Sequence, residues 1–363
     1  MTHLLYIANV RMPTEKAHGI QIVKTCEAFV NAGAGVELVV PERTTHIAGD
    51  AFSYYGLKTR FPITKLNVWD VVRWGRIGFF IESIQFAFAA ARFSRYRDAL
   101  VYGRDEVVLF AIALLTNREI VWESHTGAWN LCARFIAKRA KGIVVISQSL
   151  REFYISNGIA VGKIIVAHDG IDLTDFQTPE TKKDARARLR ISQNAKIALY
   201  IGALGMWKGT GTLLEASNLL PDDIQIAIIS ISNVESFRKK YPRVLFLGEK
   251  PYREIASNQQ AADVLILPTS AKDVVGAKYT SPLKLFTYMA SEIPIVASDV
   301  PSTKEVLPKN AAYWFKPDDA HDLARAIQEA VSDSSAGEKA ALAKQQVLLY
   351  TWEERAKRIL TSL

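Results

Sequence analysis

The sequence predicts an α/β protein made of two doubly wound parallel sheets, each covered by helices on both faces. Three observations lead there. The chain has 363 residues, which at ~150 residues per domain points to two domains. Short runs rich in Val, Ile and Leu alternate with longer amphipathic stretches, the signature of strand–helix–strand units in a parallel sheet. The alternation also restarts near Lys196, after a stretch with no strand pattern.

In the first series, Leu4–Ala8, Val36–Val40, Leu100–Tyr102, Ile120–Trp122, Gly142–Ile146 and Ile164–Ala167 read as strands. Helical stretches such as Gly19–Ala32 and Trp129–Ala140 separate several of them. The second series reads as strands at Ile197–Ile201, Gln225–Ser230, Arg243–Leu247, Val264–Leu267, Ile295–Ala297 and Ala312–Phe315. Its helical segments include Thr210–Leu219, Tyr252–Ala261, Pro282–Ser291 and Ala320–Ser332. The charged, Pro179-containing stretch Thr178–Ser192 marks the boundary. The expected domains are therefore 1–177 and 178–349, with a last helix at about 350–363 returning to the first. In open sheets of this kind ligands bind beyond the carboxyl ends of the strands, so a cleft between the two domains is the expected site.

Composition narrows the class. With 49% apolar and 23% charged residues the chain is neither disordered nor fibrous. Its 45 basic residues against 37 acidic ones give a net charge of +8, which favours an anionic partner. No nucleic-acid recognition motif accompanies that charge, so nucleic acid is not the expected partner. Cys26 and Cys132 stand far apart and outside any metal-ligand cluster. No disulfide framework, structural zinc or other metal site is expected, and a reducing cytosol is the expected compartment. The first residues lack a secretory signal pattern. The longest apolar run, Val107–Leu115, is nine residues, whereas a spanning helix needs ~20.

Two segments carry the chemistry. Tyr200-Ile201-Gly202-Ala203-Leu204-Gly205-Met206-Trp207-Lys208-Gly209 ends a strand, turns through glycines and opens a helix near Thr210. N–H groups at a helix start beside a lysine form an anion site; a tight turn with an exposed lysine is the alternative. Farther on, Ser281-Pro282-Leu283-Lys284-Leu285-Phe286-Thr287-Tyr288-Met289-Ala290 precedes the strand Pro294-Ile295-Val296-Ala297-Ser298-Asp299. Pro282 suits a first helical turn, where its missing N–H costs nothing.

At this point the chain resembles retaining glycosyltransferases of family four. Ala17-His18-Gly19-Ile20-Gln21, Ile143-Val144-Val145-Ile146-Ser147 with Leu150, and Ala167-His168-Asp169-Gly170-Ile171-Asp172 with Phe176 extend the resemblance over nearly the whole chain. It implies the GT-B fold, two Rossmann-like domains facing each other across a cleft. It also implies metal-independent transfer of a sugar from a nucleotide-sugar donor to a glycan or lipid-linked acceptor, with no cofactor. The donor site would comprise Gly19, Gly202, Lys208, Gly209, Tyr279, Ser281, Pro282, Leu283, Lys284 and Thr287, with the nucleobase on loops after the Leu245–Leu247 strand. His125 and Lys208 would be the catalytic groups.

The chain departs from the family at its paired glutamates, where Tyr279 and Thr287 stand, and at Ala203, where many relatives carry an arginine. The resemblance makes Thr287 the ribose contact, so Thr287→Glu would tighten donor binding by ~1–2 kcal/mol through charge-assisted hydrogen bonds. If the pocket is rebuilt around the threonine, binding would fall instead. A nucleotide- or partner-binding protein with impaired catalysis, or a sugar-nucleotide epimerase, is the rival function.

Other features divide between structure and function. His125 in Trp122-Glu123-Ser124-His125-Thr126-Gly127 contacts acceptor or sugar, or satisfies a loop carbonyl. Gly19 lets backbone approach the phosphates, or simply begins a helix. Asp169-Gly170 reads as a tight turn, and Ser302-Thr303-Lys304-Glu305 as a capping box. Segment 58–97 interleaves eight basic residues with Trp69, Trp74, Phe79 and Phe80. It reads either as the edge of an anionic membrane, on its inner face, or as a buried helix Ile77–Ala91.

Overall fold

The computed structural model describes residues 2–177 and 179–363. It contains two compact units, one of Met1–Asp169 with Trp352–Leu363 and one of Gly170–Thr351. The junction lies eight residues before the expected 177/178 boundary. Thr178, the first residue of the expected second domain, lies outside the described residues.

In the first unit the described strands are β1 (His3–Ile7), β2 (Gly35–Pro41), β3 (Ile63–Leu66), β4 (Leu100–Gly103), β5 (Ile120–Ser124), β6 (Gly142–Val145) and β7 (Ile164–Val166). They form one sheet in the order β3-β2-β1-β4-β5-β6-β7, with every ladder parallel. The second unit holds β8 (Lys196–Ile201), β9 (Ile224–Ile229), β10 (Leu245–Phe246), β11 (Val264–Leu267), β12 (Ile295–Ser298) and β13 (Tyr313–Phe315). These run β10-β9-β8-β11-β12-β13, again all parallel. Both sheets thus share one doubly wound order, which reverses direction between β1 and β4 and between β8 and β11.

The strands are apolar on both faces because helices cover both. Leu199 packs with Leu285, Phe286 and Met289 on one side of the second sheet, and Tyr200 with Leu213 and Ile327 on the other. Side-chain caps fix several helix starts: Asp105, Asn130, Ser147 and Asp319 each accept an N–H from the first turn.

The structure changes several expectations. β3 was not apparent in the sequence, because Ile63-Thr64-Lys65-Leu66 is short, follows Pro62 and carries a lysine, the features of an edge strand. The Arg243–Leu247 strand shrinks to Leu245–Phe246. The Tyr252–Ala261 helix becomes a 3₁₀ turn and the five-residue helix Ile255–Gln259. The capping box at Ser302 does not form: that helix is only Pro301–Lys304, capped by Val300 without a side-chain bond. Ser302 instead donates its hydroxyl to the Gly276 carbonyl at 3.0 Å. Asp169-Gly170 is not a tight turn either; Asp169 is a buried carboxylate.

Candidate functional site

In the second unit the switch point lies beyond the carboxyl ends of β8 and β11, and two loops meet there. Gly209 adopts φ 67°, and a Cβ at this position would fall 1.5 Å from the Pro268 carbonyl oxygen. Only glycine allows that approach. The Ser270 N–H donates to the Trp207 carbonyl at 3.2 Å, which joins the loops a second time. Lys208, between these two fixed points, is half-buried with its ammonium 4.9 Å from the centre of the Trp207 ring. Burial lowers its pKa.

Lys284 reaches the same place from the first turn of the helix Leu283–Ala290. Its Nζ donates to the Tyr200 hydroxyl at 2.9 Å and lies 4.1 Å from the centre of that ring. A Cβ on Gly202 would meet Nζ at 2.8 Å, so the glycine after β8 leaves room for the ammonium. Burial, and then the charge of Lys208, push the Lys284 pKa well below its ordinary value. Among the described residues neither lysine forms an ion pair. Two neighbouring cations without a counter-ion attract negative charge.

The loop's N–H groups do not contribute as the sequence implied. Leu204 N–H donates to Ser232, Gly205 N–H to Thr210, Lys208 N–H to the Gly205 carbonyl and Gly209 N–H to that of Met206. Those four are already satisfied, and Gly209 serves loop packing. The helix start is different, since the N–H groups of Leu283 and Lys284 have no intrahelical acceptor. Pro282 caps this helix rather than entering it, and Ser281 beside it is buried. Tyr279 ends a π-helical turn, Val275–Tyr279, whose Gly276 packs on Trp207; a Cβ there would lie 3.2 Å from the Trp207 carbonyl oxygen.

Thr287 stands apart from this arrangement. It is 2% exposed, accepts from Gln259 Nε2 at 2.9 Å and donates to the Lys284 carbonyl at 2.9 Å. Both capacities of its hydroxyl are used inside the protein.

The first unit holds a second polar cluster, around Glu123 near the end of β5. Its buried carboxylate accepts from Gln21 Nε2 at 2.7 Å and from the Tyr102 hydroxyl, and forms an ion pair with Arg355 at 3.0 Å. Burial opposes the charge, but Arg355 and then His125 outweigh it and hold the carboxyl well below its usual range. His125 Nε2 lies 2.5 Å from Glu123 Oε1. Burial and the Arg104 charge lower the His125 pKa despite that carboxylate. A neutral ring donating through Nε2 leaves Nδ1 as an acceptor. Asp169, raised by burial against the pull of His125, belongs to the same cluster. Sequence reasoning missed Arg355 because nothing local links the last helix to β5.

Gly19 stands in the first turn of the helix Ala17–Asn31 and has a packing reason as well. A Cβ on it would fall 2.2 Å from the Tyr55 hydroxyl, which bonds both the N–H and the carbonyl of Thr14. Close packing on Tyr55 requires the glycine. Next to it, burial and then the Arg104 charge push His18 down to about 4.

Residues 195–333 match the family model described as "Glycosyl transferases group 1". The matched stretch lies within the second unit. A putative teichuronic acid biosynthesis glycosyltransferase, TuaC of Bacillus subtilis (strain 168), is 27% identical over 159 residues. That match covers 44% of this chain but only 39% of TuaC. Among solved structures, sucrose-phosphate synthase from Thermosynechococcus elongatus superposes with a TM-score of 0.80 at 20% identity, covering 99% of this chain and 98% of that one. Anabaena HepE in complex with UDP and glucose gives 0.78 at 15% identity, covering 99% of each chain. The fold is that of GT-B proteins.

Proposed function

We propose that the protein is a retaining, metal-independent glycosyltransferase that moves a sugar from a nucleoside-diphosphate sugar to a glycan or lipid-linked acceptor. The observation that carries this reading is the Lys208–Lys284 pair, half-buried at the switch point without a carboxylate partner among the described residues. A diphosphate supplies the missing negative charge, and the open N–H groups of Leu283 and Lys284 add to the attraction. In the HepE complex the nucleotide is UDP, which makes UDP the first probe. The naming of TuaC as a teichuronic acid biosynthesis glycosyltransferase supports a glycan acceptor.

The chemistry follows from placing fixed charge where charge develops. The bond between the sugar C1 and the diphosphate oxygen breaks while the acceptor oxygen bonds C1 on the same face. The acceptor's proton passes to the departing phosphate oxygen. Two ammonium groups held at the switch point stabilise the growing charge on that phosphate with little reorganisation at the moment of reaction. The lysines thereby do the work a divalent cation does elsewhere. In the first unit, His125 Nδ1 and the Asp169 carboxylate suit recognition of sugar hydroxyls. The unbridged Cys26 and Cys132 fit a reducing, cytoplasmic setting.

The buried, internally bonded Thr287 favours one other reading, a nucleotide-binding protein with impaired transfer. Incubation with a panel of nucleotide sugars, following nucleoside-diphosphate release with and without acceptor and chelator, separates the two. Release that needs acceptor and survives chelation supports transfer; tight binding without release supports the other reading. A strict requirement for added metal would overturn the lysine mechanism.

A further inference from the structure

The helix Arg76–Arg95 turns the usual amphipathic arrangement around. Apart from Phe86, its buried face carries small or polar residues, among them Gly78, Ser83, Ala87, Ala90 and Ser94. Its solvent face carries Ile77, Phe80, Ile84 and Phe88, one stripe at helical spacing, each between 36% and 72% exposed. Trp69 and Trp74, just before the helix, are 73% and 61% exposed. The adjoining helix Glu106–Leu115 exposes Leu114 and Leu115. Single exposed apolar residues are ordinary, but a continuous apolar stripe of this length marks a surface that something covers.

Charge decides what covers it. Exposed arginines flank the stripe at both ends, Arg73 and Arg76 at one, Arg92 and Arg95 at the other. The helix has one acidic residue, Glu82, and it is buried against Arg43, whose Nε donates to it at 3.0 Å. Phe79, off the stripe, lies under the same guanidinium, 5.7 Å from its ring centre. A second copy docked about a two-fold axis on this helix would set arginines against arginines. An anionic bilayer attracts them at both ends and accepts the apolar side chains between, with the tryptophans at headgroup depth. Among the described residues no helix is long and apolar enough to span a membrane, so this contact lies along the surface.

We infer that the Arg76–Arg95 helix, with the Trp69–Trp74 segment before it, docks the protein on an anionic lipid surface. The inference is independent of the transferase reading, because it concerns lipid binding by the first unit without donor or acceptor.

Sedimentation with vesicles tests it, comparing phosphatidylglycerol mixed into phosphatidylcholine with phosphatidylcholine alone. The protein should bind the mixed vesicles and not the neutral ones. Binding should weaken as salt rises toward about 1 M, where the screening length falls to ~3 Å. Phe80→Ser/Ile84→Ser/Phe88→Ser should lower partitioning by ~10-fold or more. The thermal midpoint and nucleotide-sugar turnover in solution should not change, because these side chains already face water. Arg92→Glu/Arg95→Glu should weaken the preference for anionic vesicles. Equal binding to both vesicle types, no binding to either, or unchanged binding by the triple serine variant would each overturn the proposal. So would a dimer in solution that the serine variant abolishes, if vesicle binding is absent.

Discussion

The two polar clusters differ in charge balance: in the first unit the buried Glu123 faces a cation, whereas among the described residues the half-buried Lys208 and Lys284 of the second face no carboxylate. Glu123 is met by Arg355, Gln21, Tyr102 and His125, so its carboxylate is partnered inside the unit. Lys208 and Lys284 are met by an aromatic face and a tyrosine hydroxyl, neither of which carries a compensating charge. A compensated buried charge holds a fold together. An uncompensated pair of like charges costs stability in the free protein and recovers it when an anion arrives.

The largest expected effect breaks the compensated side. Arg355→Ala leaves Glu123 buried without its main counter-ion and should cost ~3–5 kcal/mol. Thermal or denaturant unfolding measures this. A loss below 1 kcal/mol would mean that Gln21, Tyr102 and His125 suffice.

His18 sharpens the same side through pH. Its folded pKa of about 4 lies below the ~6.5 of an unfolded histidine, so the folded state favours the neutral ring. The associated stability is fully present above pH ~6.5 and disappears as pH falls through about 4, up to ~3 kcal/mol in all. Unfolding followed across that window should show the decline, and His18→Gln should flatten it.

Thr287→Glu is expected to act next. Where the family resemblance suggested tighter donor binding, the structure points to a buried carboxylate displacing the Gln259 bond and lying near apolar Phe286 and Tyr288. We expect ~2 kcal/mol of destabilisation with no gain in affinity. Titration calorimetry with UDP and a melting curve of the same variant check both halves. The smallest effect is a proton count. Because burial and Lys208 hold the Lys284 pKa down, an anion beside it should raise that pKa. UDP binding above neutral pH should then take up protons, detectable as a buffer-dependent binding enthalpy.

The same contrast explains what was legible in the sequence. The sheets were, because each strand and helix declares itself within a dozen residues. So was the lysine pair: Lys208 and Lys284 each sit in a local strand–turn or Ser-Pro helix signature. The Glu123 cluster was not, since Arg355 comes from the chain's other end. Gly19 and Gly209 illustrate a different limit: a glycine shows that space is needed, but not that Tyr55 or the Pro268 carbonyl fills it. Ser302 matched a capping box by spacing, yet its helix ends after one turn and its hydroxyl turns to Gly276. The burial of Asp169 and Thr287 was not legible either, since a short motif does not disclose it.

The central claim is that Lys208 and Lys284 are held for an anionic ligand and not for the fold. Lys284→Met tests it most directly, with UDP affinity by calorimetry and the thermal midpoint measured on the same protein. We expect affinity to fall by ~10- to 100-fold, the scale of losing a hydrogen bond to a charged group. The midpoint should stay put or rise, because an uncompensated buried charge is gone. Unchanged affinity, or a midpoint that falls, would contradict the account.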